Sequence, residues 1–598
     1  MIYAGIMHFR GKSDVARYLM PVLERYTQSP PLCIKKESFT LCCGKLSDLQ
    51  DKDEIWEDNS ACLMGRVFNK KTEFSLQQQD FKKLLKHGAE TLFKDVWGKS
   101  IFLQTQREEK AFTVIIDPTG QLPFFYYIFP GGDILFSSNV DIIFKILKKQ
   151  PDFNWTYLCS YFVYGNSSAI QTPFKDIYEL PPGCSLHITP QDQVTKTFWN
   201  PLCSYDPSKP RKKDAVDVLQ ATLKPWVEPY QAICVSLSGG LDSSSLVYCL
   251  KDLVRNDQTL LAVNYFHSTI KSSNELVHAR QVCKENGIDL MEIDISKRLP
   301  FDLIDDDYLL LKPNKPFPGL VSLKWIQYIM DHVPSDTSST FLSGHGSDHI
   351  FMRPPSKNCV SDYIIEKGVH GVKQPLNDIT TFYRDTLFSL LKDNAKGLSS
   401  YHLGMRRDKR HPKNIQDKRP PWEKHATQDQ SSTSFVHPIY AALPRRVLPG
   451  KYAQIDAFYE GIASIHMELN PLIPTGYPYL YEPVVDFALS HPTYDLFKEG
   501  HDRYPLRKAV SDRFKTDTVW RRDKSQTTGV LQLGIKKNLD SILTLCGEGQ
   551  FVKNGFVDKE KLQETIKLIS NGDTNYMWPF THLVSAELFL QQWKNKIQ

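Results

Sequence analysis

The sequence predicts an α/β protein in two parts, a β-rich first third followed by a doubly wound parallel sheet with helical additions. Three observations predict it. Short alternating or apolar runs set off by Gly and Pro turns recur through residues 1 to about 200. From residue 215 strand and helix patterns alternate, which argues for a parallel sheet with helices on both faces. Between them lies a Pro- and Lys-rich stretch, 200–213, that reads as a linker, giving domains 1–205 and 206–598.

The bulk numbers fit that architecture and exclude others. With 598 residues, 41% hydrophobic and 24% charged, the chain is long enough for several domains and ordinary for a soluble protein. A net charge of +5 over this length does not by itself imply nucleic-acid binding. No apolar run approaches the ~18 residues of a membrane span. The opening residues, Met1 to His8, lack the basic region of a signal peptide. Twelve cysteines show no Cys-x-x-Cys pair and no zinc-like His spacing. Cys234, Cys249 and Cys283 read as buried thiols, and Cys42-Cys43 as strand residues. These features predict a cytoplasmic protein with neither a membrane nor a nucleic-acid partner.

In chain order, strands are expected at 38–43, 61–68, 100–104, 112–116, 124–129 and 185–188, separated by turns such as Asp117-Pro-Thr-Gly120, Pro130-Gly-Gly-Asp133 and Pro181-Pro-Gly183. A helix near 215–224 leads to a strand at 233. A strand at 260–266, a helix at 274–286 closed by Gly287, and a strand at 288–295 complete two β–α–β units. Beyond 360 the pattern is mostly helical, with stretches at 379–391, 452–469 and 562–570 around a polar, basic loop from about 405 to 434.

The most informative segment is Ile233-Cys-Val-Ser-Leu-Ser-Gly-Gly-Leu-Asp-Ser243. It reads as an apolar strand, a Ser238-Gly239-Gly240 turn and a helix opening at Leu241-Asp242-Ser243. Leu246, Val247, Leu250 and Leu253 give that helix an apolar face. Glycines let the backbone approach an anion, the helix N-terminus offers unpaired N–H groups, and Asp242 suits a Mg²⁺ that bridges phosphates. The Gly-x-x-x-x-Gly-Lys-Ser/Thr phosphate loop occurs nowhere. Ser-Gly-Gly-x-Asp-Ser instead resembles the pyrophosphate loop of ATP pyrophosphatases, which cut ATP between its α and β phosphates.

A second segment, Thr340-Phe-Leu342 running into Ser343-Gly-His-Gly-Ser-Asp-His-Ile-Phe351, follows about a hundred residues later. With the first, it makes the chain resemble the asparagine synthetase superfamily. The resemblance implies that Asp242 and Asp348 hold Mg²⁺ on the pyrophosphate of ATP. It implies a nucleotide site built from Ser236, Ser238, Gly239, Gly240, Leu241, Asp242, Ser243, Val263, Ser343, Gly344 and Gly346, with the Gly344 backbone close to AMP. A third segment, Gly500-His-Asp-Arg-Tyr-Pro-Leu-Arg-Lys-Ala509 followed by Val519-Trp-Arg-Arg-Asp-Lys524, is similar to a helix and basic loop of that family. There Lys524 matches a lysine that stabilises the departing phosphates, with Arg522 as the nearby second choice. Arg507 is a candidate for substrate contact, or equally for a structural ion pair.

Asp117-Pro-Thr-Gly-Gln-Leu-Pro-Phe-Phe125 and Leu180-Pro-Pro-Gly183 resemble turns of the family's glutaminase half. That implies an Ntn-hydrolase-like, class II glutamine amidotransferase-like β-rich α+β fold for the first domain, joined to an ATP-pyrophosphatase domain. Glutaminase activity in that family needs a cysteine exposed as residue 1. Position 2 here is Ile2, and Cys33, Cys42, Cys43 and Cys62 are internal. The expectation is a glutaminase fold without glutaminase activity.

The amine must then come from elsewhere. Asparagine synthetases carry glutamates where this chain has His345 and His349, whereas Gly-His-Gly-x-Asp-His-Ile-Phe is similar to the loop of lasso-peptide macrolactam cyclases. Those enzymes adenylate an Asp or Glu side chain of a linear precursor peptide, which the peptide's own N-terminal amine attacks. The resemblance implies ATP and Mg²⁺, the precursor peptide, and a leader-peptidase or leader-binding partner protein. His345 can take the amine's proton or serve as a structural loop residue; His349 reads as structural. The run from Arg406 to Lys424, with Pro420-Pro-Trp422 inside it, is either a solvated loop or a docking surface. The alternative is a small-molecule amide ligase, such as an ammonia-dependent asparagine synthetase or a β-lactam synthetase. A non-catalytic binding protein and a nucleic-acid-modifying enzyme stand further off.

Overall fold

Two six-stranded antiparallel sheets build the first part of the chain, in a computed structural model that describes residues 1–9, 15–86, 88–106, 110–165, 169–270, 274–302, 311–335, 337–384, 386–404, 419–424, 436–465, 475–522 and 528–594. One sheet runs in the order Ile177–Glu179, Phe125–Ile128, Ile134–Ser137, Ile2–Met7, Phe39–Gly44, Leu32–Lys35. The other runs Gln193–Thr197, Cys184–Ile188, Ala111–Ile116, Val96–Gln106, Ala61–Asn69, Glu54–Glu57. Tyr3, Leu41 and Cys43 from the first sheet interdigitate with Met64, Leu103 and Val114 from the second. The outer face of the first sheet, with Ile2, Ala4 and Ile6, packs on helices Ala16–Leu23, Val140–Leu147, Trp155–Tyr164 and the late helix Met577–Lys594.

Ile2–Met7 is therefore buried on both faces and reads as a continuous apolar run without alternation, which is why the sequence did not announce it as a strand. The six expected strands are present. The structure adds Leu32–Lys35, Glu54–Glu57, Ile134–Ser137, Ile177–Glu179 and Gln193–Thr197, most of them short or at a sheet edge. The two motif turns pack on each other. Asp117 accepts from the backbone N–H of Ser100, Thr119 and Gly120, and a Cβ on Gly120 would stand 2.5 Å from Pro182 Cγ. Gly183 N donates to Asp117 O at 2.9 Å.

In the second part a five-stranded, wholly parallel sheet runs in the order Asp289–Asp294, Thr259–Phe266, Ala232–Ser236, Ser339–Leu342, Thr475–Gly476. Numbered by sequence within this sheet, that order is 3-2-1-4-5. The direction of winding reverses between Ala232–Ser236 and Ser339–Leu342, where α/β proteins open a crevice at the carboxyl ends of their strands. The helix expected over 379–391 is two: Lys373–Tyr383 ends at Arg384 (φ 50°), and Leu387–His402 starts from Thr386, whose hydroxyl accepts from Ser389 N. Cys42, Cys43, Cys234, Cys249 and Cys283 are buried free thiols.

The hydrophobic core crosses the 205/206 boundary. Phe68, Trp97 and Trp199 join Trp226 and Tyr481, with Trp226 and Tyr481 ring centres 4.2 Å apart. Arg66 lies over the Trp226 ring and donates to the carbonyls of Pro225 and Trp226. Gln50 reaches from the first part to the fourth sheet strand, donating to Thr337 O at 2.7 Å and accepting from Ser339 N at 2.5 Å. Of the basic loop, residues 405–418 and 425–435 lie outside the described residues. Trp422 does not suit a solvated loop: it is wholly buried, and its carbonyl accepts from Asp558 N. Among the described residues, no helix is long and apolar enough to cross a membrane.

Candidate active site

The two loops predicted from sequence meet at the reversal point of the sheet. Ala232–Ser236 delivers the first loop and the helix Leu241–Lys251; Ser339–Leu342 delivers the second and the short helix Ser347–Ile350. Gly239 adopts φ +80°, and a Cβ there would stand 2.7 Å from both Ala279 N and His278 Cβ, so only glycine lets this turn close on the next helix. Inside the loop, Ser243 Oγ accepts from Ser238 N at 3.2 Å, and Ser238 Oγ accepts from Gly240 N at 3.2 Å. Gly346 (φ +99°) packs flush on Leu480, where a Cβ would stand 2.5 Å from Leu480 Cγ.

Asp242 and Asp348 face one guanidinium. Arg503 Nη1 donates to Asp242 Oδ1 at 2.7 Å and Oδ2 at 2.6 Å, and also to Asp348 Oδ1. Its Nε donates to Asp502 Oδ1 at 3.1 Å. Arg503 is 1% exposed and sits at φ +52° just before the helix Tyr504–Phe514. Burial opposes its charge, but Asp242, Asp348 and Asp502 more than offset that and raise its pKa. Burial also pushes the Asp502 carboxyl upward, yet Arg503 and Arg507 outweigh it and hold the group below the usual carboxylate range. Tyr479, from the turn after the fifth strand, donates its hydroxyl to Asp242 O at 2.9 Å.

Arg507 takes the structural ion-pair role of its two expected ones. It is 2% exposed, and its donors are spent on Asp502 O and Oδ1 and on the carbonyls of Val519 and Arg521. A guanidinium with five fixed donors suits such an interior hub, and it holds Asp502 in place behind Arg503. Val263 meets the loop through its backbone. Its side chain is buried with Cys234, Ile293 and Phe341, and only its carbonyl, accepting from Leu237 N, borders the loop. Leu241 is 4% exposed in the main core and offers the site nothing but backbone. Ser236 is half-buried, its hydroxyl 3.4 Å from Tyr265 OH.

Lys524 lies outside the described residues. The segment leading to it is tied to the first loop by Arg521, which donates to Gly239 O at 3.1 Å and to Glu275 Oε1 at 2.5 Å. Arg522 turns to Glu499 O and His501. Arg521, rather than Arg522, therefore reaches the pyrophosphate-type loop.

His345 is half-buried on the second loop. Ser464 donates its hydroxyl to Gly461 O at 2.7 Å and so accepts from His345 Nε2 at 2.8 Å; Gly461 O accepts from the same nitrogen at 3.1 Å. Two acceptors on Nε2 place a hydrogen on that nitrogen. His349 is structural in its packing, since a Cβ on Gly461 would stand 2.9 Å from its ring. The helix Pro449–Ala463 that carries Gly461 also sends Gln454 Nε2 to Ile350 O at 2.6 Å, bracing the turn that bears Asp348.

Sequence reasoning missed Arg503, Arg521, Tyr479 and Gln454. The signal for Arg503 was available, because Asp502-Arg503 directly precedes a Tyr-Pro helix start in the third segment. Tyr479 follows a strand only two residues long, and no local pattern marks it.

The donor set fits a magnesium ion. Asp242 and Asp348, in the first turns of the helices that follow two neighbouring strands, have side chains 14% and 30% exposed, so each keeps an open edge. Mg²⁺ is commonly held by one or two carboxylates while nucleotide phosphates and water complete its shell. Among the described residues no group of three or more His, Cys, Asp or Glu side chains is arranged to hold a metal alone.

An asparagine synthase family model matches residues 217–360 and 472–594, and a glutamine amidotransferase domain model matches 81–199. The chain is 22% identical over 422 residues to the microcin J25-processing protein McjC of Escherichia coli, covering 68% of this chain and 69% of that protein. Among solved structures, glutamine phosphoribosylpyrophosphate amidotransferase from B. subtilis with ADP and GMP is 10% identical, covers 58% of this chain and 82% of its own, and gives a TM-score of 0.22. The allosteric regulatory enzyme of purine biosynthesis is likewise 10% identical, with 50% and 81% covered and a TM-score of 0.22. The chain carries an asparagine synthase-type domain over residues 217–360 and 472–594, with a glutamine amidotransferase-type domain ahead of it at 81–199.

Proposed function

We propose that this chain is an ATP-dependent, AMP-forming ligase that closes a macrolactam in a linear precursor peptide of the lasso class. The observation that carries the reading is the meeting of the two loops at the reversal point, where Asp242 and Asp348 share one guanidinium and His345 stands on the same loop as Asp348. Similarity to a protein that processes microcin J25 supports a peptide substrate.

In the first step a substrate Asp or Glu carboxylate oxygen bonds to the α-phosphorus of ATP, and the bond to pyrophosphate breaks. In the second, the peptide's N-terminal amine forms the C–N bond, AMP leaves with the electron pair, and one proton is released. The loop N–H groups and the N-terminus of Leu241–Lys251 bind the phosphates. Mg²⁺ held by Asp242 and Asp348 would neutralise phosphate charge. Lys524, three residues beyond the Arg521 clamp, would stabilise the departing pyrophosphate. An α-amine has a reference pKa of ~7.7–8.0, so positioning matters more than a strong base. His345 would receive the proton.

The reaction belongs in the cytoplasm, where ATP is supplied, with a leader-binding or leader-cleaving partner delivering the peptide. A second reading, a small-molecule amide ligase, is favoured by the asparagine synthase match itself. Incubation with ATP, Mg²⁺ and linear peptide tests the choice. Loss of one water from the peptide, with one AMP and one pyrophosphate formed, is the expected mass-spectrometric result. An N-terminally acetylated peptide should give no ring. Asparagine formed from aspartate and ammonia, with peptides inert, would transfer the assignment to the second reading.

A further inference from the structure

We propose that Arg503 is an internal cation that makes metal binding at Asp242 and Asp348 depend on nucleotide. The two carboxylates come from different loops and converge at the ends of adjacent parallel strands. Like charges placed so close raise each other's cost of ionisation unless a cation lies between them. Arg503 supplies that cation: one nitrogen, Nη1, meets both carboxylates, and both oxygens of Asp242 lie on it.

Its hold is strong for three reasons. The side chain is 1% exposed, so the bonds are little screened. Asp502 fixes the other edge of the guanidinium, and Asp502 is itself held by Arg507 at 2.9 Å, with Arg353 at 3.7 Å. The left-handed backbone at Arg503, φ +52°, turns the side chain back from the helix start into the site. A bare divalent cation thus meets two carboxylates whose charge is already partly spent. Among the described residues it finds no third ligand of the His, Cys, Asp or Glu type. Nucleotide phosphates change that balance, because they bring oxygen ligands for the metal and acceptors for the guanidinium. Arg503 is a positioning residue in this account, holding the carboxylate pair together and setting the order of binding.

The inference rests on the reading that ATP and a divalent cation meet at Asp242 and Asp348, and it is independent of the peptide. Mn²⁺ binding to the full chain, followed by electron paramagnetic resonance with and without a non-hydrolysable α,β-methylene ATP analogue, tests it. In the wild type, Mn²⁺ should bind at least on the order of tenfold more tightly with the analogue than alone. Arg503→Met, which keeps an unbranched stem and removes the charge, should bind Mn²⁺ without nucleotide, and the added change Asp348→Asn should abolish that binding. Arg503→Lys should keep the wild-type order. Equal Mn²⁺ affinity with and without the analogue in the wild type overturns the inference, whether or not the Met variant folds. Absence of Mn²⁺ binding in every sample, analogue included, overturns the nucleotide–metal reading beneath it.

Discussion

Gly344 lies flush against Asp242. A Cβ at position 344 would stand 3.1 Å from Asp242 Cβ and 2.9 Å from Ser243 N. The second loop therefore seats directly on the first turn of the helix that the first loop opens. Its glycine is required by contact between the loops themselves.

Gly344→Ala should separate the loops by a few tenths of an ångström without disturbing either strand. Overpacking of this kind costs about 1–3 kcal/mol. The expected outcome is a folded protein with ATP/pyrophosphate exchange reduced by at least roughly tenfold, the rate factor carried by about 1.4 kcal/mol. Wild-type exchange in a folded Gly344→Ala protein would show that the contact does not matter.

Arg521 and Lys524 should separate by kinetic signature. Arg521→Ala removes the clamp on Gly239 O and the ion pair with Glu275, which is 8% exposed. A charged hydrogen bond is worth about 1.5–3 kcal/mol, so the apparent ATP affinity should fall roughly tenfold to a hundredfold. Lys524→Met should leave ATP binding by calorimetry close to wild type and suppress exchange, since its assigned partner is the departing pyrophosphate. Loss of ATP binding in the Lys524 variant, with exchange per bound ATP unchanged, would contradict that division.

His491 should make the protein sensitive to mild acid. It is 7% exposed, its Nδ1 donates to Phe487 O at 2.8 Å, and burial, reinforced by Arg211, lowers its pKa to about 4. A histidine whose folded pKa lies below its unfolded value near 6.5 contributes fully above 6.5 and loses that contribution as pH falls toward 4. The linkage amounts to roughly 3 kcal/mol over the full fall to pH 4. His491→Asn keeps a donor and removes the titration, so its stability in urea should fall less than that of wild type between pH 6.5 and 4.5. Parallel pH profiles for the two proteins would remove His491 as the cause.

The sequence made the chemistry-bearing loops legible because each packs its information locally, as a strand, a glycine turn and a helix start within about a dozen residues. Asp242 and Asp348 could be named in advance, and they do meet. The first strand was hidden because burial on both faces of Ile2–Met7 erases the period-two signal. A family pattern gives a residue's position along the chain, not which way its side chain faces, so it left both roles open for Arg507 and said nothing of the Val263 side chain. Val263 turns to the sheet–helix core. Arg507 turns inward to carbonyls, one helical turn from Arg503, which takes the site-facing place. Within the basic cluster, Trp422 is buried in the core and tethers its Pro-Pro-Trp segment, a placement that charge alone does not announce.

The most direct test of the central claim is peptide-dependent exchange of pyrophosphate into ATP by the full chain with Mg²⁺. The account predicts exchange that requires a linear peptide bearing the reactive Asp or Glu and that disappears in Asp348→Ala. Exchange supported by free aspartate with peptides inert, or exchange that survives Asp348→Ala undiminished, would contradict it.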